Sequence, residues 1–120
     1  MGNSMTLIVG GKLKIYYTNT SYSLEKGGYG AFSLSTGESI NVTYPLLCSL
    51  EQMELSTVIT ASGYHKRMYS NEECIIYSSH LNLVNYVNSP MTVPEDLLSH
   101  VHFIRGLVKN NQMKLVYISR

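Results

Sequence analysis

Side chains able to do chemistry are sparse in this chain, and their spacing narrows what they can do. Cys48 and Cys74 have no paired histidine in an arrangement that would make either a nucleophile. They are expected to pack in the core as free thiols of a reducing compartment. His100 and His102 are two apart on a helical stretch, so they point to different faces and do not make a metal site. His80 falls at the start of another helix, where a surface histidine is the plain expectation and a remnant acid–base group the alternative. His65-Lys66-Arg67 is the one compact basic cluster. Lys66 and Arg67 are therefore the candidates for touching a phosphate backbone, although cations at a helix end also suit the helix dipole. Met1-Gly2-Asn3-Ser4-Met5-Thr6 fits the M-G-x-x-x-[ST] pattern and makes Gly2 a candidate for myristoylation. One such acyl chain would give only marginal membrane attachment, and no polybasic second signal lies nearby. Asn19 and Asn41 head N-x-[ST] triplets, which carry weight only on a secretory route.

Composition bounds the setting of these groups. The 120 residues suit one domain with a single core, and the formal net charge is +1. That balance argues against strong nonspecific binding of nucleic acid, where phosphate contacts dominate affinity. No stretch approaches the roughly 20 apolar residues of a membrane helix. No basic region precedes the short apolar run Met5–Val9, so no secretory leader is expected. An intracellular, cytoplasmic protein is the expectation.

The elements that must position these residues can be read from periodicity. Residues 13–19 and 28–34 have strand character, and 38–44 alternates apolar with polar side chains like a half-buried third strand. Three successive antiparallel strands are the simplest connection. Ser49 and Gln52 have capping-box spacing and open a helix whose face carries Leu55, Val58, Ile59 and Ser62, with Gly63 weakening its end. Residues 74–78 form an apolar run expected of a buried strand. Leu81, Val84 and Val87 mark a short helix stopped before Pro90. Thr92 and Glu95 predict a second capping box opening a helix through Val108, and residues 113–118 give a last strand. The order is βββ-α-β-α-α-β. Residues 1–12 are expected to be a flexible N-terminal segment and 13–120 the domain.

This order resembles the ribonuclease H fold, and four local matches carry the resemblance. Tyr17-Thr18-Asn19-Thr20-Ser21 is similar to the family's strand ending in T-D-G-S. Gly27-Gly28-Tyr29-Gly30-Ala31 is similar to its G-G-Y-G-A, and Met53-Glu54-Leu55 to its M-E-L. Ile75-Ile76-Tyr77-Ser78-Ser79 is similar to its fourth strand, which ends in T-D-S. The fold implied is α/β: a five-stranded mixed sheet, three antiparallel strands followed by alternating helices and strands, with helices on both faces.

Family enzymes cut the RNA strand of RNA–DNA hybrids with two divalent cations. The cations are held by carboxylates from the first strand, first helix, fourth strand and a last helix. On this alignment the vestigial positions are Asn19, Glu54 and Ser79, and only Glu54 keeps its acid. The sequence stops at Ser119-Arg120, where the family continues into a G-H loop and the helix bearing the last aspartate. Amide and hydroxyl groups supply no compensating charge, and Mg²⁺ gives up water reluctantly. One glutamate beside a phosphate would hold at most one ion weakly. Asp96, the only aspartate, sits at the start of the late helix and rescues neither strand position.

The resemblance therefore implies a degenerate, non-cleaving member with no cofactor. It is similar to the connection domain of retroviral and retroelement reverse transcriptases, which has the fold without its acids. Such a domain is expected to serve as a structural or protein-interaction scaffold, with a protein partner or a second copy of itself. Two alternatives remain. One is a non-cleaving binder of RNA–DNA hybrid or another duplex. The other is a weak or truncated nuclease dependent on Mg²⁺ or Mn²⁺.

Overall fold

A computed structural model describes residues 12–23, 27–44 and 48–119. Gly2 and the rest of the N-terminal segment lie outside the described residues, apart from Lys12. The strands are β1 (Leu13–Ser23), β2 (Gly27–Leu34), β3 (Ser39–Tyr44), β4 (Glu73–Ser78) and β5 (Lys114–Tyr117). The helices are α1 (Leu50–Met68), α2 (Leu81–Asn88) and α3 (Leu98–Lys109), the last entered through a 3-10 turn at Glu95–Leu97. The sheet order is β3-β2-β1-β4-β5. β1 pairs antiparallel with β2, and β2 with β3, while β1–β4 and β4–β5 are parallel. Mixed pairing follows from connection length: only a few residues separate each of the first three strands from the next, and helical crossovers bring in β4 and β5.

Strand alternation divides the sheet into two faces. Tyr16 stands opposite Leu34 and Ile76, and Ile76 opposite Leu115. These four share one face and join Phe32, Leu55, Val58, Leu83, Val101 and Ile104 in one buried cluster. Each fully buried side chain of this size contributes about 1.5–3 kcal/mol relative to exposure. All three described helices feed that cluster. This corrects the expected placement of helices on both faces: among the described residues they pack on one. Tyr17, Asn19, Tyr29, Ala31 and Tyr77 occupy the other face by the same alternation.

Local rules explain most boundaries. Ser49 Oγ accepts from the Gln52 backbone N–H, and Gln52 Oε1 accepts from the Ser49 N–H, both at 3.1 Å. This reciprocal cap fixes the start of α1. Gly63 does not end that helix, which continues to Met68. The capping box expected at Thr92 and Glu95 does not form. Pro94 is extended (φ −53°, ψ 142°), and α3 begins only after the 3-10 turn, with no side-chain cap. Asn111, at φ 59°, takes the left-handed conformation in the turn after α3, which asparagine tolerates better than most residues. Arg105 joins α3 to the end of α2 by donating to the carbonyls of Tyr86, Ser89 and Met91. It thereby satisfies carbonyls that the short helix leaves open.

His65 belongs to the core rather than to the basic cluster. The Glu72 carbonyl oxygen, 2.8 Å from Nε2, can only accept, so the proton is on Nε2. Nδ1 then accepts from the Tyr16 hydroxyl at 2.8 Å. This chain ties β1, the end of α1 and the approach to β4 together. Burial raises the Tyr16 hydroxyl pKa well above its usual range. Both cysteines are free. Burial pushes the Cys74 thiol up to about 12, which suits packing and not nucleophilic chemistry.

Candidate functional site

The central carboxylate is Glu54, on the face of α1 that lies over β1 and β4. It is 1% exposed, so its charge needs polar partners. Oε2 accepts from Thr18 Oγ1 at 2.5 Å and from Ser78 Oγ. Oε1 accepts from Thr20 Oγ1 at 3.2 Å. His80 Nε2 lies 3.9 Å from the same Oε1 and 3.4 Å from Thr20 Oγ1. The His80 backbone N–H donates to Ser78 Oγ at 3.2 Å, which aims that hydroxyl's own proton toward the carboxylate. Thr18 Oγ1 also lies 3.2 Å from the Tyr77 carbonyl. Three neutral hydroxyls thus surround one acid, with the half-exposed His80 on its outer side.

Two of the positions aligned with the family's acids stand outside this cluster. Asn19 is exposed and lies on the opposite face of the sheet from Glu54. Thr18 and Thr20, its neighbours in β1, share the face of Tyr16 and reach the acid instead. In β4 it is Ser78, not Ser79, whose hydroxyl contacts Glu54. The structure therefore brings Glu54 together with Thr18, Thr20, Ser78 and His80.

The donor chemistry does not match a pair of divalent cations. Two close cations require several carboxylates to offset their charge. Both Glu54 oxygens already accept hydroxyl protons, and the other groups in the cluster are neutral oxygens and an imidazole. Among the described residues, no three His, Cys, Asp or Glu side chains gather to hold a metal. The arrangement acts as a polar joint between β1, α1 and β4.

The hollows of the surface add little here. One of about 240 Å³ borders the cluster, lined by Glu51, His80, Leu81, Asn82 and Leu83. A larger one, about 430 Å³, lies elsewhere, between α1 and α3, with Ile59, Lys66, Phe103 and Leu107 in its lining. Lys66 and Arg67 are exposed at the end of α1 and are not part of the Glu54 cluster.

The same sheet order and helix placement recur in solved structures. RNase H1 of the halophilic archaeon Halobacterium salinarum superposes with a TM-score of 0.74 over 91% of this chain and 87% of its own, at 12% identity. The fold is ribonuclease H-like. A second ribonuclease H-like neighbour, LC11-RNase H1 isolated from compost by a metagenomic approach, superposes with a TM-score of 0.71. It covers 89% of this chain and 84% of its own, at 14% identity. At such identities the likeness carries the ribonuclease H-like fold and not the activity. No protein-family model and no curated protein sequence matches the chain. No described helix is long and apolar enough to cross a membrane.

Proposed function

We propose that this chain is a non-cleaving ribonuclease H-like domain that works through its surface, as a structural or protein-interaction scaffold. The observation that carries the reading is the state of Glu54, a single buried carboxylate with hydroxyls on both oxygens. The fold is kept while the polar centre serves cohesion. A fold of this kind hosts function wherever its surface allows. The domain needs no cofactor on this reading, and its partner is a protein or a second copy of the chain.

One observation favours a second reading, a non-cleaving duplex binder. Lys66 and Arg67 remain exposed, whereas Lys14 is engaged with Glu72 at 3.0 Å and Arg105 with carbonyl groups. Binding of a labelled RNA–DNA hybrid at low salt separates the two readings. The scaffold reading predicts no measurable binding by the unaltered protein. Salt-dependent binding that weakens in a Lys66→Ala/Arg67→Ala variant would overturn it in favour of the duplex binder.

A further inference from the structure

The face of the sheet turned away from the helices holds a second constellation, unrelated to Glu54. Tyr17 of β1 and Tyr77 of β4 are register partners. Their rings stack with centroids 5.5 Å apart and planes within 14° of parallel. That spacing is close to the roughly 4.8 Å between neighbouring strands. The two rings therefore stand side by side, each covering one face of the other. The neighbour of Tyr17 on β2 is Ser33, and the neighbour of Ser33 on β3 is Ser39. The aromatic row thus stops at two short side chains. Further along the strands, Ala31 lies between Asn19 and Asn41.

The result is a hollow of about 300 Å³ beside Tyr17, lined also by Asn19, Tyr29, Ala31, Ser33 and Ser39. The Tyr29 hydroxyl donates to Asn41 Oδ1 at 2.5 Å, which anchors this second tyrosine to β3. The lining has aromatic walls, small residues between them, and amide and hydroxyl groups at the edges. Among the described residues its lining contains no charged side chain.

These properties select one kind of occupant. A flat aromatic wall favours a flat ring, and aromatic side chains hold unpaired bases by stacking with little regard to sequence. Amide and hydroxyl groups suit a neutral heterocycle with hydrogen-bonding edges. The volume admits one such ring system, and a base in a duplex would first have to be unstacked and unpaired at a cost of a few kcal/mol. We propose that this slot binds a single unpaired nucleobase, stacked on the face of Tyr17 turned away from Tyr77. The base belongs to a free nucleoside or to a single strand. With no cation among the described lining residues, phosphates add little and binding depends only weakly on salt, unlike phosphate-driven association.

Amide-resolved NMR titration of the full chain tests this, with adenosine and an adenine hexanucleotide as separate probes. Both are expected to shift the amides of Asn19, Ala31, Ser33 and Ser39. Equal affinities identify a nucleoside site, and tighter binding of the hexanucleotide identifies a single-strand site. Ser33→Leu fills the slot and is expected to weaken both probes about tenfold or more, the scale of losing one stacking contact. Tyr17→Leu, a second variant, should do the same with a preserved spectrum. Glu54→Gln should leave both affinities unchanged, so the test is independent of the proposed loss of cleavage. Shifts absent from this face with both probes would overturn the proposal. So would hexanucleotide binding that falls steeply with salt and survives Ser33→Leu.

Discussion

Glu54→Ala is expected to destabilise the domain by about 3 kcal/mol, a loss near 10 °C in Tm for a chain of this size. The carboxylate accepts from Thr18, Thr20 and Ser78. Its removal strands those donors, each unsatisfied buried group costing about 1–3 kcal/mol. Some of the loss is recovered locally. Thr18 can turn to the Tyr77 carbonyl at 3.2 Å, and Thr20 is near enough to the surface to meet water. Ser78, 1% exposed, has no such outlet. Glu54→Gln keeps one carbonyl acceptor and should cost about 1 kcal/mol. The sign of the effect carries the argument. An acid held in readiness for cations is relieved by neutralisation, and such sites often gain stability when altered. Thermal and urea unfolding in metal-free buffer measure the difference. Unchanged or higher stability of Glu54→Ala would show that the hydroxyl cage is not what holds this centre.

Gly28→Ala is expected to cost about 2 kcal/mol, for a steric reason on the neighbouring element. A Cβ at Gly28 would fall 1.9 Å from Met53 Sδ and 3.1 Å from its Cε. Methionine is adaptable, but Met53 is fully buried and adjoins Glu54 on α1. Its thioether end must shift, and because the side chain is fully buried that shift meets packed neighbours. The double variant Gly28→Ala/Met53→Ala should therefore lose less than the sum of its parts, with a coupling of about 1 kcal/mol or more. Gly63→Ala is the matched control. Its Cβ would meet only Arg67 Nη1, at 4.0 Å, and an alanine inside a helix gains about 1 kcal/mol over glycine. Additive Gly28 and Met53 effects in denaturant unfolding would refute this account of why β2 approaches α1 so closely.

The element order was legible because the pattern changes period where the structure changes type. Residues 38–44 alternate and Ser39–Tyr44 form β3, and the Ser49–Gln52 spacing becomes a complete reciprocal cap. The chemistry of the site was harder to place. Facing in a strand depends on parity alone, and a one-residue error exchanges the two faces. In β1 the adjacent Tyr16 and Tyr17 give no apolar contrast to set that parity. Yet Tyr16 is buried while Tyr17 stacks on the opposite face. Motif spacing marks Asn19 as the aligned position, while the fold turns its neighbours Thr18 and Thr20 to Glu54. The adjacent Ser78 and Ser79 present the same ambiguity at the end of β4.

Two other features depend on three-dimensional packing that no local pattern encodes. Pro94 holds the chain extended ahead of the 3-10 turn, so the Thr92–Glu95 spacing never becomes a cap. His65 reads as one of three consecutive basic residues. Its two ring nitrogens are instead committed to Tyr16 and the Glu72 carbonyl, partners 49 and 7 residues away. A buried histidine of this kind is recognised only when both partners are known.

The measurement that bears most directly on the loss of cleavage is a hybrid-cutting assay. A labelled RNA–DNA hybrid would be incubated with the chain in Mg²⁺ and, separately, in Mn²⁺, beside Glu54→Gln and a protein-free control. One hydroxyl-bound carboxylate predicts no product above the protein-free control in either metal, for either protein. Metal-dependent cutting of the RNA strand by the unaltered chain, abolished in Glu54→Gln, would contradict it and make Glu54 a working ligand.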